Sequence, residues 1–223
     1  MRALLILTIS LLTAMPQASA TDTAHVRLTT QTSHELNLQN GINAYQSKDY
    51  SIAIKIFEPL ASNGNAIAQG YLGRMYYEGL GTPMDYEQAI KWFGKAAENR
   101  NAFAQFKLGV MYRQGQGTPK DYKLAALWFR KAIEQGYESA LIQLGYLYYK
   151  GYGVHKDYVV AYALCNPTFT TNITDFNTAA TIHSSIIYFM TSAQIAAGHE
   201  LTHEMQHYGI MKAFDAYLDS RVQ

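Results

Sequence analysis

Cys165 is the only cysteine in the sequence. A chain that cannot pair two cysteines internally is not a disulfide scaffold, so its stability must come from packing. Cys165 is then either a small buried hydrophobe or a spare thiol open to intermolecular pairing. An excess of charge of one sign is missing too. Lys and Arg number 18 against 17 Asp and Glu, a formal net charge of +1, so nothing in the balance demands nucleic acid or an anionic membrane. Long apolar runs are absent after the first twenty residues, and no later segment reaches the length that spans a bilayer.

Those first twenty residues are of a different kind. Met1-Arg2 carries a positive charge, Ala3 to Met15 is an apolar or hydroxyl-bearing stretch, and Pro16 breaks it. Ala18-Ser19-Ala20 supplies the small-x-small pattern of a signal-peptidase site. The reading is a secretory signal over 1–20, cleaved after Ala20, giving a periplasmic or secreted protein. No cysteine follows the apolar stretch, so a lipid anchor is not indicated. Residues 21–33 are Thr-rich and polar and read as a mobile lead-in. The remaining length, about 200 residues, suits one domain or a short repeat array.

A repeat is what the sequence contains. Thirty-six residues separate Ala68 from Ala104 and Ala104 from Ala140. The same stride links Leu72, Leu108 and Leu144, then Gly73, Gly109 and Gly145, then Tyr76, Tyr112 and Tyr148, then Asp85, Asp121 and Asp157. A fixed period of this size means a solenoid, in which each unit buries its apolar face only against its neighbours. The fold class is therefore all-α, an α-solenoid of helix-turn-helix repeats.

One copy shows the chemistry. Ala68, Leu72 and Met75-Tyr76 recur at helical spacing and define a first helix with one apolar stripe. Gly79-Leu80-Gly81 ends it, and Thr82-Pro83 blocks its continuation. Asp85 is the natural N-cap of a second helix, with Gln88 as its capping-box partner. Tyr86, Ala89, Phe93 and Ala96 form the second stripe, with Trp92 beside it. The units run 66–101, 102–137 and 138–167, the last degenerating where Leu164-Cys165 replaces the Trp-Phe pair and Pro167 ends the array. Residues 34–65 form a related pair without the Gly-x-Gly insertion, its first helix capped within Thr32-Ser33-His34-Glu35. Arg100 stands where Gly64 and Gly136 close the equivalent helices. A left-handed backbone costs Arg more than Gly, so an irregular junction is expected there, with Asn99 taking that conformation or the bend differing.

The pattern Ala-x-x-x-Leu-Gly-x-x-Tyr-x-x-Gly-x-Gly-x-x-x-Asp-Tyr-x-x-Ala-x-x-Trp-Phe-x-Lys-Ala, running from Ala66 to Cys165, resembles the Sel-one-like repeat (SLR), a branch of the tetratricopeptide superfamily. The shorter first unit resembles a plain tetratricopeptide repeat, and Met190 to Ala196 resembles the start of the closing helix in many bacterial members. The resemblance implies an exported or membrane-associated adaptor that binds a protein or peptide, without enzymatic activity or cofactor, as a monomer or weak oligomer. In tetratricopeptide-type solenoids the first helices line the concave face. Carried over by register, that face would show Leu38, Ile42 and Tyr45; Ile67, Arg74 and Tyr77; Phe103, Phe106, Val110 and Arg113; and Ile142, Tyr146, Tyr149 and Lys150. Aromatic anchors beside basic groups suit a peptide or helix bearing an acidic group. The opposing reading is that some of these aromatics only pack between adjacent first helices and that the cations are ordinary solvated charges.

One stretch suggests an enzyme. His199-Glu200-Leu201-Thr202-His203 spells H-E-x-x-H, the zinc-protease helix signature. The extended metzincin pattern needs a histidine at 209, and that residue is Gly209. His207 lies about 12 Å along a straight helix from His199, too far to share one zinc with it. Leu201, Met205 and Tyr208 define the apolar stripe, leaving His199, His203 and His207 toward solvent as, at most, weak metal candidates. A cell-wall-active enzyme is the other alternative. Some secreted SLR proteins with a cysteine pair in each repeat are linked to β-lactams, and this chain lacks those pairs.

Beyond Pro167 the sequence predicts C-terminal capping helices over 168–223. Thr168 to Thr174 reads as a loop, with Asn172-Ile173-Thr174 a sequon only by letter. A helix capped by Thr174 follows from Asp175 to Phe189. Thr191 and Gln194 box the start of a last long helix that Gly209 kinks or interrupts. The sequence leaves open whether this tail folds back across the groove.

Overall fold

The computed structural model describes residues 35–221. The expected signal and lead-in lie outside the described residues, as does the predicted capping segment from Thr32 to His34. The chain is all-α. Helix α1 occupies 35–46, followed by α2 (Tyr50–Ser62), α3 (Ala66–Glu78), α4 (Tyr86–Glu98), α5 (Ala102–Gln114), α6 (Tyr122–Glu134), α7 (Ser139–Lys150) and α8 (Tyr158–Leu164). A 3-10 turn at Pro167–Phe169 leads into α9 (Ile173–Ile187), α10 (Ser192–Tyr208) and α11 (Ile210–Ser220).

The helix ends follow from the repeated residues. Gly79, Gly115 and Gly151 take left-handed C-terminal positions with φ of 69°, 76° and 72°. Asp85, Asp121 and Asp157 accept amide bonds as N-caps from Gln88, Leu124 and Val160. Gln88 therefore supplies only its backbone half of the expected box, whereas Thr191 and Gln194 close a complete one. The backbone of each cap also donates back to the first helix, Asp85 to Tyr76 and Asp121 to Tyr112, both at 2.9 Å. A second glycine in each turn lets the turn lie on the preceding repeat. A Cβ on Gly117 would sit 2.5 Å from the Tyr86 carbonyl oxygen, and one on Gly81 2.8 Å from that of Tyr50.

The core is a chain of local clusters, as a solenoid requires. Phe57, Leu72 and Met75 anchor the first, and Phe93, Leu108 and Met111 the next. A larger cluster combines Phe129, Leu144 and Leu147 with Leu201, Met205 and Phe214 of the C-terminal helices. Buried polar exceptions among the described residues are Thr202, which donates to the Gly198 carbonyl, and Gln69 and Gln105, thirty-six residues apart, each donating through Nε2 to the last turn of the preceding helix, to the carbonyls of Ala61 and Ala97. Cys165 is fully buried and occupies the register position of Phe93 and Phe129, so the small-hydrophobe alternative describes it. Burial without a partner charge pushes its thiol up to about 12.

Three expectations need correction. Arg100 adopts φ of 60°, the same left-handed region as Gly64 and Gly136, and the Asn101 amide bonds Ala96 as Asn65 bonds Leu60. The junction is regular, because the repeat packing on both sides fixes the backbone and Arg bears the strain. The cap of α9 is Asn172, which accepts the amides of Thr174 and Asp175, so the helix begins at Ile173 inside the predicted loop. Tyr208 is 59% exposed and does not continue the stripe of Leu201 and Met205. Gly209, at φ 95°, separates α10 from α11 and so interrupts the helix as one alternative had it.

α10 packs on α8, and α11 packs on α10 and reaches back to α6, where Asp215 pairs with Arg130. α9 lies against α7 and α8. Among the described residues no helix is long and apolar enough to cross a membrane.

Candidate functional site

The first helices α1, α3 and α5 bring one row of side chains together. The Arg74 guanidinium lies over the Tyr45 ring at 5.6 Å and the Phe103 ring at 5.9 Å. Its Nε donates to the Glu78 carboxylate at 2.9 Å. The Lys107 ammonium lies over Tyr77 at 4.9 Å and over Phe103 at 5.4 Å. Phe106 packs on Tyr137 at 4.8 Å, and Tyr137 meets the edge of Phe103. The row therefore reads Tyr45, Arg74, Phe103, Lys107, Tyr77, with cation and ring alternating along it.

Its electrostatics follow from partial burial. Burial holds the Lys107 ammonium below its ordinary range, with Glu78 opposing and Arg74 adding to the shift. Burial raises the Tyr77 phenol, while its hydrogen bond to Gln116 Oε1 at 3.0 Å works the other way. Tyr45 is raised by burial against the field of Arg74. Beside the row a pocket of about 220 Å³ opens between α3 and α5, lined by Ile67, Gly70, Tyr71, Arg74, Asn101 and Phe103. Ile67, 47% exposed, stands at its rim.

The other expected wall residues lie as follows. Leu38 and Ile42 pack half-buried on the first core cluster. Val110 and Arg113 are half-buried on α5, and the Arg113 field lowers Tyr77. Tyr146, Tyr149 and Lys150 form a second group on α7, with the Lys150 ammonium 4.4 Å from the Tyr149 centroid and 5.8 Å from that of Tyr146. Ile142 is 4% exposed and is corrected from wall to interior. It lies on one α7 stripe between Ser139, which donates to Asp175 of α9, and Tyr149, which meets Phe189 just beyond α9. Phe106 is shared between wall and core, since it also packs on Phe129 at 6.0 Å.

Tyr71, Lys107 and Tyr137 were missed by the sequence reading. Tyr71 and Lys107 occupy one register position, immediately before the Leu-Gly pair, and that adjacency was the available signal. Tyr137 stands where Asn65 and Asn101 cap the earlier first helices. An aromatic in a capping position was its clue.

The histidines of the H-E-x-x-H stretch are exposed on α10. His199 Nε2 lies 3.3 Å from the Tyr162 hydroxyl. The rings of His203 and His207 are parallel at 6.3 Å. Among the described residues no three His, Cys, Asp or Glu side chains converge to hold a metal ion.

The repeat geometry has counterparts among known proteins. The family model described as Sel1 repeat matches residues 36–65, 66–101, 102–137 and 138–166, more than half of the chain, and includes the short first unit. Among solved structures, a Sel1 repeat protein from Oxalobacter formigenes is 29% identical, with 78% of this chain and 72% of that one covered and a TM-score of 0.58. A protective antigen of uropathogenic Escherichia coli strains, displaying an SLR fold, is 26% identical with a TM-score of 0.55. That alignment covers 86% of this chain but only 49% of the antigen, so the chain spans about half of its length. None of the curated proteins compared with the chain matches it.

Proposed function

We propose, from the premise that the chain belongs to the Sel1 repeat family, that it is an exported scaffold whose first-helix row holds an acidic segment of a protein partner. Membership of the family implies a protein–protein interaction scaffold in general terms. The observation that carries the finer reading is the cation–ring ladder. Arg74 and Lys107 already occupy the ring faces of Tyr45, Tyr77 and Phe103, so these aromatics offer edges and apolar rims to a partner. Among the described residues Lys107 has no carboxylate in ion-pair contact, and Arg74 shares its one carboxylate, Glu78, through a single nitrogen. A partner carboxylate reaching this row would gain a partly desolvated pair of cations, where charge-assisted bonds are strong. The neighbouring pocket of about 220 Å³ would take an apolar side chain next to that carboxylate.

Export follows from the pattern of residues 1–20 and is proposed on that pattern alone. The test compares capture of partners from envelope extracts by wild type and by Arg74→Glu/Lys107→Glu. The reading expects partners with wild type only, at equal melting temperatures. Equal capture by both proteins contradicts it.

A further inference from the structure

Helix α9 is weakly secured. Its sequence, ITDFNTAATIHSSII, is rich in β-branched and hydroxyl residues, which lower helix propensity. Four hydroxyls bond back to the preceding turn: Thr178 to Thr174, Thr181 to Asn177, Ser184 to Ala180 and Ser185 to Thr181. Such bonds compete with the helix for its own carbonyls. Only Ala179 and Ile186 are buried, while Ile173 is 71% exposed. Both neighbours are better fixed. Tyr162 of α8 is 3% exposed and packs so closely on Gly198 of α10 that a Cβ there would sit 2.6 Å from its ring. α9 is thus a strip of weak helix between two anchored segments, lying on the inner side of α7.

The side chain that seats α9 on α8 is His183. Its ring centroid lies 3.9 Å from that of Tyr162. Its Nε2 is shut off from solvent and has no hydrogen-bond partner. From α8 it faces Tyr162, and from α10 it faces His199, whose Nε2 meets the Tyr162 hydroxyl from the other side. From α7, Ser139 donates to Asp175, the one carboxylate on α9, while Tyr149, with the Lys150 ammonium over its ring, meets Phe189 just beyond the helix. Beside burial, His199 is what disfavours a proton on the imidazole. Protonation makes both ring nitrogens donors, and Nε2 has no acceptor there.

We propose that α9 is a strap, tethered through 166–172 and 188–191, that covers the inner wall of the last repeat and lifts when His183 is protonated. Lifting frees the α7 face at Ser139, whose hydroxyl holds Asp175 of α9, and so extends the row of first helices by one repeat; only this consequence for a partner rests on the function proposed above. The sign follows from where the proton binds. Burial, with His199 adding to it, holds His183 below its ordinary 6.5, whereas a lifted, solvated imidazole titrates at 6.5. Well above 6.5 neither state is protonated and the closed strap keeps its full stability. As pH falls from 6.5 toward the closed-state value, the lifted state takes up the proton first and gains about tenfold in population per pH unit.

The test is hydrogen exchange of the full chain at pH 7.5 and 5.5, corrected for intrinsic rates and read by mass spectrometry over 173–187, 192–208 and 86–98. Acidification should speed exchange in 173–187 by up to about tenfold, the one-proton limit between 6.5 and 5.5, and leave the other two segments unchanged. His183→Gln and His183→Phe should each abolish the pH dependence, and either variant suffices if the other does not fold. Equal protection at both pH values in wild type overturns the proposal. So does the same acceleration in both variants, or exchange of 192–208 rising in step with 173–187. No partner is present in this experiment, so its outcome is independent of whether Arg74 and Lys107 bind one.

Discussion

Two glycines in neighbouring helices should respond differently to the same substitution. Gly109 of α5 faces Phe129 of α6, and an added Cβ would lie 2.5, 2.6 and 3.0 Å from three atoms of that ring. Phe129 is fully buried and cannot yield, so the helices must separate. Gly94 of α4 has nothing within 4 Å of the same added atom. Replacing glycine by alanine within a helix gains about 1 kcal/mol of propensity at either site. Overpacking subtracts about 1–3 kcal/mol at Gly109 alone. Gly94→Ala should therefore stabilise by about 1 kcal/mol and Gly109→Ala should be neutral to destabilising. At about 2–4 °C per kcal/mol for a chain of this size, thermal melts should separate the two variants by roughly 2–12 °C. Gly73→Ala, whose Cβ would meet Phe93 at 2.6 Å, should behave like Gly109→Ala. Shortening the ring, as in Gly109→Ala/Phe129→Leu, should recover part of the loss. Equal stabilisation at Gly94 and Gly109 would refute the claim that glycine sets the helix approach in each repeat.

Other residues give further tests. Arg100→Gly should raise stability by about 1 kcal/mol in a denaturant melt, because glycine carries no Cβ penalty at φ 60°, whereas Gly136→Ala at φ 80° should lower it. Cys165, fully buried with its thiol raised to about 12, should resist iodoacetamide at pH 8 until denaturant is added, and rapid labelling of the folded chain would contradict its burial. After dialysis the full chain should retain no stoichiometric zinc by elemental analysis, with His203→Ala indistinguishable from wild type. Retention lost on that substitution would return H-E-x-x-H to consideration.

Much of the fold was legible because the repeat writes its own punctuation. Gly79, Asp85 and their counterparts name the helix ends, and a stride of thirty-six residues fixes which positions share a face. The C-terminal region has no such internal copy. There the cap falls at Asn172 and not at the expected Thr174, through local hydrogen bonding that spacing does not reveal. Arg100 shows the converse limit: local preference argued against a left-handed backbone, and the packing of adjacent repeats imposed one. The wall was half legible. Register puts Arg74, Tyr77 and Phe103 on one face, but Lys107 sits one residue before Leu108 and meets the rings of Tyr77 and Phe103 only in the folded packing. Ile142 is 4% exposed although its register position falls on the wall, and α7 is the first helix to meet α9, an element for which the repeat has no counterpart.

The central claim is that the partner lies along the row of first helices, and site-specific photocrosslinking tests it most directly. A benzophenone side chain would replace Ile67 at the rim of the pocket, or Leu127 on the exposed side of α6. Irradiated in its native compartment, the Ile67 protein should give a discrete adduct that disappears with Arg74→Glu/Lys107→Glu, and the Leu127 protein should give none. Adducts from Leu127 with none from Ile67 would place the partner on the outer helices and contradict the account.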